Sequence, residues 1–143
     1  MIFDLQSLFS DAQAVTESAV SENVIDRGEQ GTPQHAENLF KADLGKGNKV
    51  PIRIQVVEDF AALTSLTVEV QVASDEAFSS PTTVQSATVL AASLVEGYVF
   101  PIDTIPVGTN DRYIRLNYDV TGDDATAGKI TAGITMGNQE WYS

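Results

Sequence analysis

The sequence predicts an all-β domain built from antiparallel strands, and three observations support this. Four segments, the predicted strong strands, alternate apolar and polar residues with a period of two: residues 50–56, 66–72, 113–120 and 129–136. Strands show this pattern when one face is buried and the other solvated. No helical pattern of roughly 10–15 residues separates them, so we expect no βαβ units. The connections between the strands are largely polar. Together these features favour an antiparallel β-sandwich of jelly-roll type with a short N-terminal arm. A seven-stranded immunoglobulin-like sandwich is the alternative.

The length of 143 residues predicts a single domain. We divide the chain into an N-terminal arm, residues 1–10, and one β-sandwich domain, residues 11–143. The arm carries apolar residues at helix-like spacing, namely Ile2, Leu5, Leu8 and Phe9. A helix of this length is unstable alone in water. We therefore expect the arm to pack on its own domain or on a neighbouring subunit.

The remaining elements follow in chain order. Two short strands are expected within residues 12–27, before a polar, Gly-rich loop that reaches Asn48. Weaker strands are expected at residues 82–89 and 98–102, and residues 122–129 predict a hairpin connection between the last two strong strands. The apolar face of the four strong strands supplies the predicted core: Ile52, Ile54, Leu66, Val68, Val70, Ile114, Leu116, Tyr118, Ile130 and Ile134.

Residues 74–84 join two of these β segments and predict a wide, polar connection. Its one aromatic residue, Phe78, is the expected anchor. Pro81 has a fixed φ and no N–H group, which bars it from a central position in a sheet.

The net charge of −12, from 20 acidic and 8 basic residues, limits the partners of the chain. Binding to nucleic acid needs clustered Lys and Arg, and binding to an anionic membrane needs a basic surface. No apolar run approaches the roughly 20 residues of a membrane span. We therefore expect no direct contact with nucleic acid or membrane, and a basic surface on any specific protein partner.

Candidate catalytic and metal-binding residues are few. The chain has no Cys, and its one histidine, His35, lies in a polar loop where a solvated side chain is expected. No Gly-x-Ser-x-Gly nucleophile elbow is present. Residues 122–129 fail as a phosphate-binding loop because five residues separate the glycines and no helix is expected to follow. We expect no enzymatic activity, no cofactor and no required metal.

Three blocks of the chain stand out by their order. The first block is residues 10–16, which run on to residues 23–26, and the second is residues 74–84. The third block is residues 112–118, followed by residues 126–133. Taken in this order, the blocks resemble the Bbp16-type capsid cement proteins of tailed bacteriophages. None of them is a catalytic motif, so the resemblance rests on their order along the chain.

This resemblance implies a decoration protein on the outer surface of a phage head. Such a protein is made in the cytoplasm of the bacterial host and becomes part of the virion. It binds over junctions between subunits of a major capsid protein of HK97-like fold. It stabilises the viral capsid as a symmetric homo-oligomer, expected to be a homodimer. No chemical step is implied, because stabilisation follows from binding to the assembled state.

For such a role, the apolar chain ends are the candidate interface between subunits: Ile2, Phe3, Leu5, Leu8, Phe9, Trp141 and Tyr142. The alternative is that these side chains close one end of their own sandwich. Two other functions remain open at this point. A carbohydrate-binding or adhesin-type module would share the fold but would cluster aromatic residues in loops. A small β-sandwich hydrolase would need a catalytic site.

Overall fold

The computed structural model describes residues 3–38 and 42–137. Its elements are six strands and one short 3₁₀ turn, Ala91–Ser93. The strands are β1 (Phe3–Ala14), β2 (Ala19–Val20), β3 (Ile25–Asp26), β4 (Ile52–Ala73), β5 (Thr82–Leu90) and β6 (Tyr113–Thr135). The expectation of an all-β, antiparallel protein is confirmed.

The strands form one antiparallel sheet with the order β1-β6-β4-β5, and β2 and β3 both pair with β6. β4 and β6 are 22 and 23 residues long, and they pair with each other along most of their length. Each unites two of the four strong strands predicted from the sequence. The predicted hairpin over residues 122–129 is therefore wrong, because this segment continues β6.

The reason for this error is a large irregularity in the middle of the two long strands. Ala61 lies opposite Ala127 and Leu63 lies opposite Gly122, so β6 holds three more residues than β4 between these two pairs. Gly122 has a φ of 93° and Gly128 a φ of 140°, conformations that favour glycine in bulges as well as in turns. The Gly signal that predicts a hairpin is produced here by a bulged strand.

One hydrophobic core is shared by both ends of the long strands. Nine of the ten predicted core residues are buried, while Ile134, near the end of β6, is half-buried. The buried Tyr118 hydroxyl lies 2.7 Å from Ser10 Oγ, which joins the first half of β6 to β1. Residues from both halves of β4 and β6 thus belong to one large buried cluster, and Ala73, Phe78 and Tyr113 form a second, smaller one.

The predicted strand at residues 98–102 is an extended segment rather than a regular strand. It runs beside the first half of β4, where Phe100 N donates to Ile54 O over 2.9 Å and Val56 N donates to Tyr98 O over 2.9 Å. Phe100 and Ile102 are buried in the core.

The N-terminal arm is a strand and not a helix. β1 pairs with the second half of β6, and its register shifts three times between Phe3 and Gln13. Each shift breaks the two-residue period of a strand, so the apolar residues fall at spacings that imitate a helix. The boundary placed after residue 10 falls inside β1.

Candidate functional site

The predicted interface residues at the N-terminus divide into two groups. Phe9 is fully buried in the core and Leu8 is 8% exposed, whereas Leu5 is 77% exposed and Phe3 is half-buried. For Leu8 and Phe9, the burial favours packing on the protein's own domain. Of the other predicted interface residues, Ile2, Trp141 and Tyr142 lie outside the described residues.

The two ends of the described chain meet at one margin of the sheet. Phe3 lies opposite Thr135, the last residue of β6, and the next residue, Met136, is 84% exposed. We call the exposed or half-buried apolar residues Phe3, Leu5 and Met136 the terminal patch. It is a candidate contact surface because it presents large apolar side chains to solvent.

A second region is a corner of loops fastened by Arg27. Arg27 Nη1 donates to Thr109 O over 2.8 Å and to Asp111 O over 3.0 Å, and Nη2 donates to Ala42 O. One guanidinium thus joins three segments that are far apart in the sequence. Because Arg offers five donors in a fixed plane, it can satisfy several carbonyls at once.

Asp43 fastens the same corner through its carboxylate. Its Oδ2 accepts from Gly108 N over 2.8 Å and its Oδ1 accepts from Gly45 N over 2.8 Å. The bond from Gly108 contributes most to lowering the pKa of Asp43 below its ordinary value of 3.8. Gly45 packs so closely that an added Cβ would lie 2.2 Å from Pro106 O, so a larger residue would separate the loops.

A cleft of about 370 Å³ lies beside this corner, with Arg112 and Glu29 among its lining residues. Arg112 Nε and Nη2 donate to the two carboxylate oxygens of Asp26 over 2.8 and 3.0 Å, and Nη1 donates to Glu29 over 3.3 Å. The bond to Asp26 raises the pKa of Arg112, and the same bond lowers the pKa of Asp26. With its charge engaged in this way, Arg112 holds β3 against the start of β6.

The connection over residues 74–84 is anchored by Phe78, as predicted. Phe78 is 5% exposed, its ring lies 6.4 Å from that of Tyr113, and the Arg115 guanidinium carbon lies 4.1 Å above it. Asp75 Oδ2 accepts from Ser79 N and Ser79 Oγ over 3.0 and 2.8 Å. These contacts fold the connection into a defined shape beside β6.

A third region is the outer edge of β5. In the part of the chain that the structure describes, β5 pairs only with β4, so it lies at the margin of the sheet. It also lies in an uncharged part of the chain, because no charged residue occurs between Glu76 and Glu96. This is the longest uncharged run in a sequence where 20% of residues are charged. β5 therefore exposes backbone groups without the charges that surround the rest of the domain.

His35 is exposed, as expected for a solvated loop residue. Within the described residues, no group of three or more His, Asp or Glu side chains could hold a metal. Burial raises the pKa of Tyr118, whose hydroxyl is engaged with Ser10 inside the core. Across the same residues, no helix has the length and apolar character needed to span a membrane.

The chain was compared with known protein families. The profile of the Bbp16 family matches residues 9–134, which is most of the chain and nearly all of the described strands. The chain belongs to the Bbp16 family. Bbp16 is a phage-associated family, and membership indicates a phage structural protein. A comparison with curated proteins found no similar sequence.

The match begins at Phe9 and ends at Ile134, so the residues of the terminal patch, Phe3, Leu5 and Met136, lie outside it. Arg27, Asp43, Arg112 and β5 all lie inside the matched region.

The sequence reasoning did not find the roles of Arg27, Asp43 or Arg112. Each of these residues has a hydrogen-bond partner more than 60 positions away in the sequence. A single charged residue in a loop gives no local pattern from which such a contact could be predicted. The exposed edge of β5 had one usable signal, the uncharged run between Glu76 and Glu96. That run alone does not reveal which strand ends the sheet.

Proposed function

We propose that this Bbp16 protein is a capsid cement protein, which binds the outer surface of an assembled phage head. Its partner would be a major capsid protein of HK97-like fold, contacted at the junctions between subunits. The observation that carries the proposal is the family match over residues 9–134. In the same proposal, the curved sheet is a sandwich of jelly-roll type, the active unit is a homodimer, and the protein acts without catalysis.

The fixed loops of the domain support a role in binding without catalysis. Loop segments distant in sequence are fastened by Arg27 and Asp43, and the connection over residues 74–84 is pinned by Phe78. Such loops lose little freedom on binding, which leaves more of the contact energy as affinity. A modest contact repeated over a whole shell then stabilises the assembly through multivalency.

The terminal patch is the surface that we propose for contact with the capsid. Leu5 and Met136 are 77% and 84% exposed, and covering a large apolar side chain contributes about 1.5–3 kcal/mol. The acidic surface would add attraction to a basic region of the capsid protein.

The experiment is to add purified protein to phage heads that lack it and to measure retention and resistance to heat. Leu5→Ser should leave the melting temperature unchanged and weaken retention at each site by about 1–3 kcal/mol. Val107→Ser is the matched control, because Val107 is 61% exposed and lies far along the chain from the patch. Heads that gain no heat resistance from the wild-type protein would sink the cement role.

Salt separates the two sources of affinity. Charges farther apart than the screening length of about 10 Å at 0.1 M salt interact weakly. If attraction between the acidic domain and a basic capsid region contributes, retention should fall as salt is raised. Retention that is indifferent to salt would leave the apolar terminal patch as the source of binding.

A further inference from the structure

The outer edge of β5 is a strand edge that no other strand pairs with among residues 3–38 and 42–137. Opposite β4, the register is unbroken from Gln85, which faces Val70, to Leu90, which faces Ser65. In an antiparallel strand, every second residue points its N–H and C=O away from the existing partner. Among the described residues, no backbone hydrogen bond joins the outward side of β5 to another segment.

The usual protections of an edge strand are missing from β5. Natural edges carry charged residues, Pro or bulges that prevent another strand from pairing. In β5 there is no charged residue and no Pro, and the one register shift, between Gln85 and Thr83, lies near its start. Thr, Val, Ser, Gln and Ala predominate, and the β-branched residues among them suit strand pairing.

The other edge of the sheet is formed by β1, and it does carry the features that prevent another strand from pairing. β1 carries Asp4 and Asp11 and shifts register three times. Part of its backbone is also covered, because Asn23 N donates to Phe9 O over 3.0 Å. The difference between the two edges indicates that β5 is left open for an occupant.

We propose that the occupant is β5 of a second copy of this chain, paired antiparallel across a two-fold axis. This inference rests on the self-association that the proposed function includes, and it names the surface. Two identical strands that pair antiparallel form a closed, isologous contact, so assembly stops at a dimer. The sheets of the two copies join, and the outward N–H and C=O groups of each β5 find partners.

The charge of the chain decides between a second copy and another partner. Each copy carries a net charge of −12, so two copies repel except where their facing surfaces carry no charge. The uncharged run between Glu76 and Glu96 supplies such a surface. A basic partner would find no acidic residue on β5 itself, and the one acidic residue paired with it is Glu69 of β4, opposite Ser86.

The first test is a cysteine scan along β5. The chain has no Cys, so each variant carries a single thiol. Near the two-fold axis, a residue faces itself in the partner copy, at a distance that a disulfide can span. Gln85→Cys, Ser86→Cys and Thr88→Cys, mildly oxidised, should give covalent dimers, with a maximum at one position. Gln6→Cys, exposed on β1, is the control and should stay monomeric on denaturing gels.

The second test introduces the charge that natural edges use. Ser86→Lys places a lysine opposite Glu69 of β4, so the fold keeps a favourable cross-strand pair. Facing lysines in the paired copies should raise the dissociation constant of the dimer roughly fivefold or more. Thr126→Lys makes the same charge change at an exposed position of β6 and should leave the dimer unchanged.

Light scattering of the wild-type protein without heads should give a mass of twice 15.3 kDa. A protein that is still monomeric at about 100 μM, roughly the highest dissociation constant of a specific weak dimer, overturns the inference. A dimer that crosslinks through Gln6→Cys instead of β5 also overturns it. A monomer whose head binding is abolished by Ser86→Lys would assign β5 to a strand of the capsid protein. A dimer that fails to bind heads would keep this inference and sink the cement role.

Discussion

The two edges of the sheet show opposite solutions to the same problem. β1 is irregular, acidic and tied to its own core through Phe9, which is fully buried. β5 is regular over its second half, uncharged and ends at Leu90, which is 66% exposed. An edge that is bulged and charged cannot accept another strand, whereas a regular and neutral edge can.

The comparison indicates that one edge of the sheet, β1, mainly stabilises the fold, whereas the other edge, β5, is available for association. β1 contributes large buried side chains and a buried hydrogen bond to the fold. β5 contributes mainly its inner face, where Val89 is buried against the core while the outer residues stay in solvent. Changes in β1 should therefore alter folding more than association, and changes that block the unpaired edge of β5 should alter association more than folding.

The largest expected effect compares Phe9→Ala with Leu90→Ala. Removing the buried Phe9 ring should lower the free energy of unfolding by about 3–5 kcal/mol, since a cavity remains in the core. Leu90 is mostly exposed, so its truncation should cost less than about 1 kcal/mol. Urea denaturation of both variants measures the two losses. Equal losses would contradict the division between the edges.

The next effect tests the polar link between β1 and the core. Tyr118→Phe removes a hydroxyl that lies 2.7 Å from Ser10 Oγ in the buried interior. Loss of a buried hydrogen bond should lower the free energy of unfolding by about 1–2 kcal/mol, although Ser10 Oγ keeps its bond to Gln13.

Tyr98→Phe is the matched control for this change, because Tyr98 is half-buried and its hydroxyl has no hydrogen-bond partner among the described residues. Thermal unfolding of both variants is the measurement. A loss from Tyr98→Phe as large as that from Tyr118→Phe would show that the link to Ser10 is not what stabilises β1.

Alternation of apolar residues was enough to predict the core, because a strand face repeats every two residues whatever its neighbours are. It placed Ile54, Val68 and Leu116 correctly inside the protein. It failed for β1, where bulges break the period. It also mistook the middle of β6 for a hairpin, since Gly122 serves a bulge with the same backbone conformation that a turn requires.

The candidate surfaces were harder to predict because they depend on contacts between distant segments. Whether β5 is an edge or a central strand is decided by the order of strands in the sheet, which no local pattern encodes. The loop corner depends on Asp43 meeting Gly108, 65 positions later. In β1, the adjacent residues Leu8 and Phe9 are both buried, which the alternation of a regular strand does not predict, and the register shifts between Leu8 and Ser10.

Lowering the pH tests how firmly Asp43 holds the loop that lies beside the start of β5. An added Cβ on Gly108 would lie 3.3 Å from Val84 Cγ1, so the loop that Asp43 holds reaches the beginning of β5. The bond from Gly108 lowers the pKa of Asp43 below 3.8 in the folded protein. The stabilisation is therefore fully present above pH 3.8 and is lost as the pH falls through the lower, folded-state pKa.

An NMR titration should show the Gly108 amide signal shifting with a midpoint below pH 3.8, and Asp43→Asn should remove that transition. The Gly97 amide, which donates to Val56 O, serves as the internal control and should not follow it. A midpoint at or above 3.8 would mean that the carboxylate does not hold the loop in solution.

The smallest expected effect concerns the outer face of β5, where Thr88 Oγ1 and Thr67 Oγ1 lie 2.8 Å apart across the strands. Thr88→Val replaces the hydroxyl with a methyl group of similar shape and should lower the free energy of unfolding by about 0.2–1 kcal/mol, the range of a cross-strand pair. Thr83→Val makes the same replacement on β5 at an exposed position opposite Gln71, where no side-chain hydrogen bond of Thr83 is found within the described chain. The difference between the two variants therefore isolates the hydrogen bond from the higher strand propensity of Val.

Chemical denaturation at a fixed protein concentration measures that difference, and repeating it at tenfold dilution separates folding from association. If β5 is held to β4 by its own cross-strand pairs, the difference should be independent of dilution, whereas a difference that disappears on dilution would mean that Thr88 acts between copies.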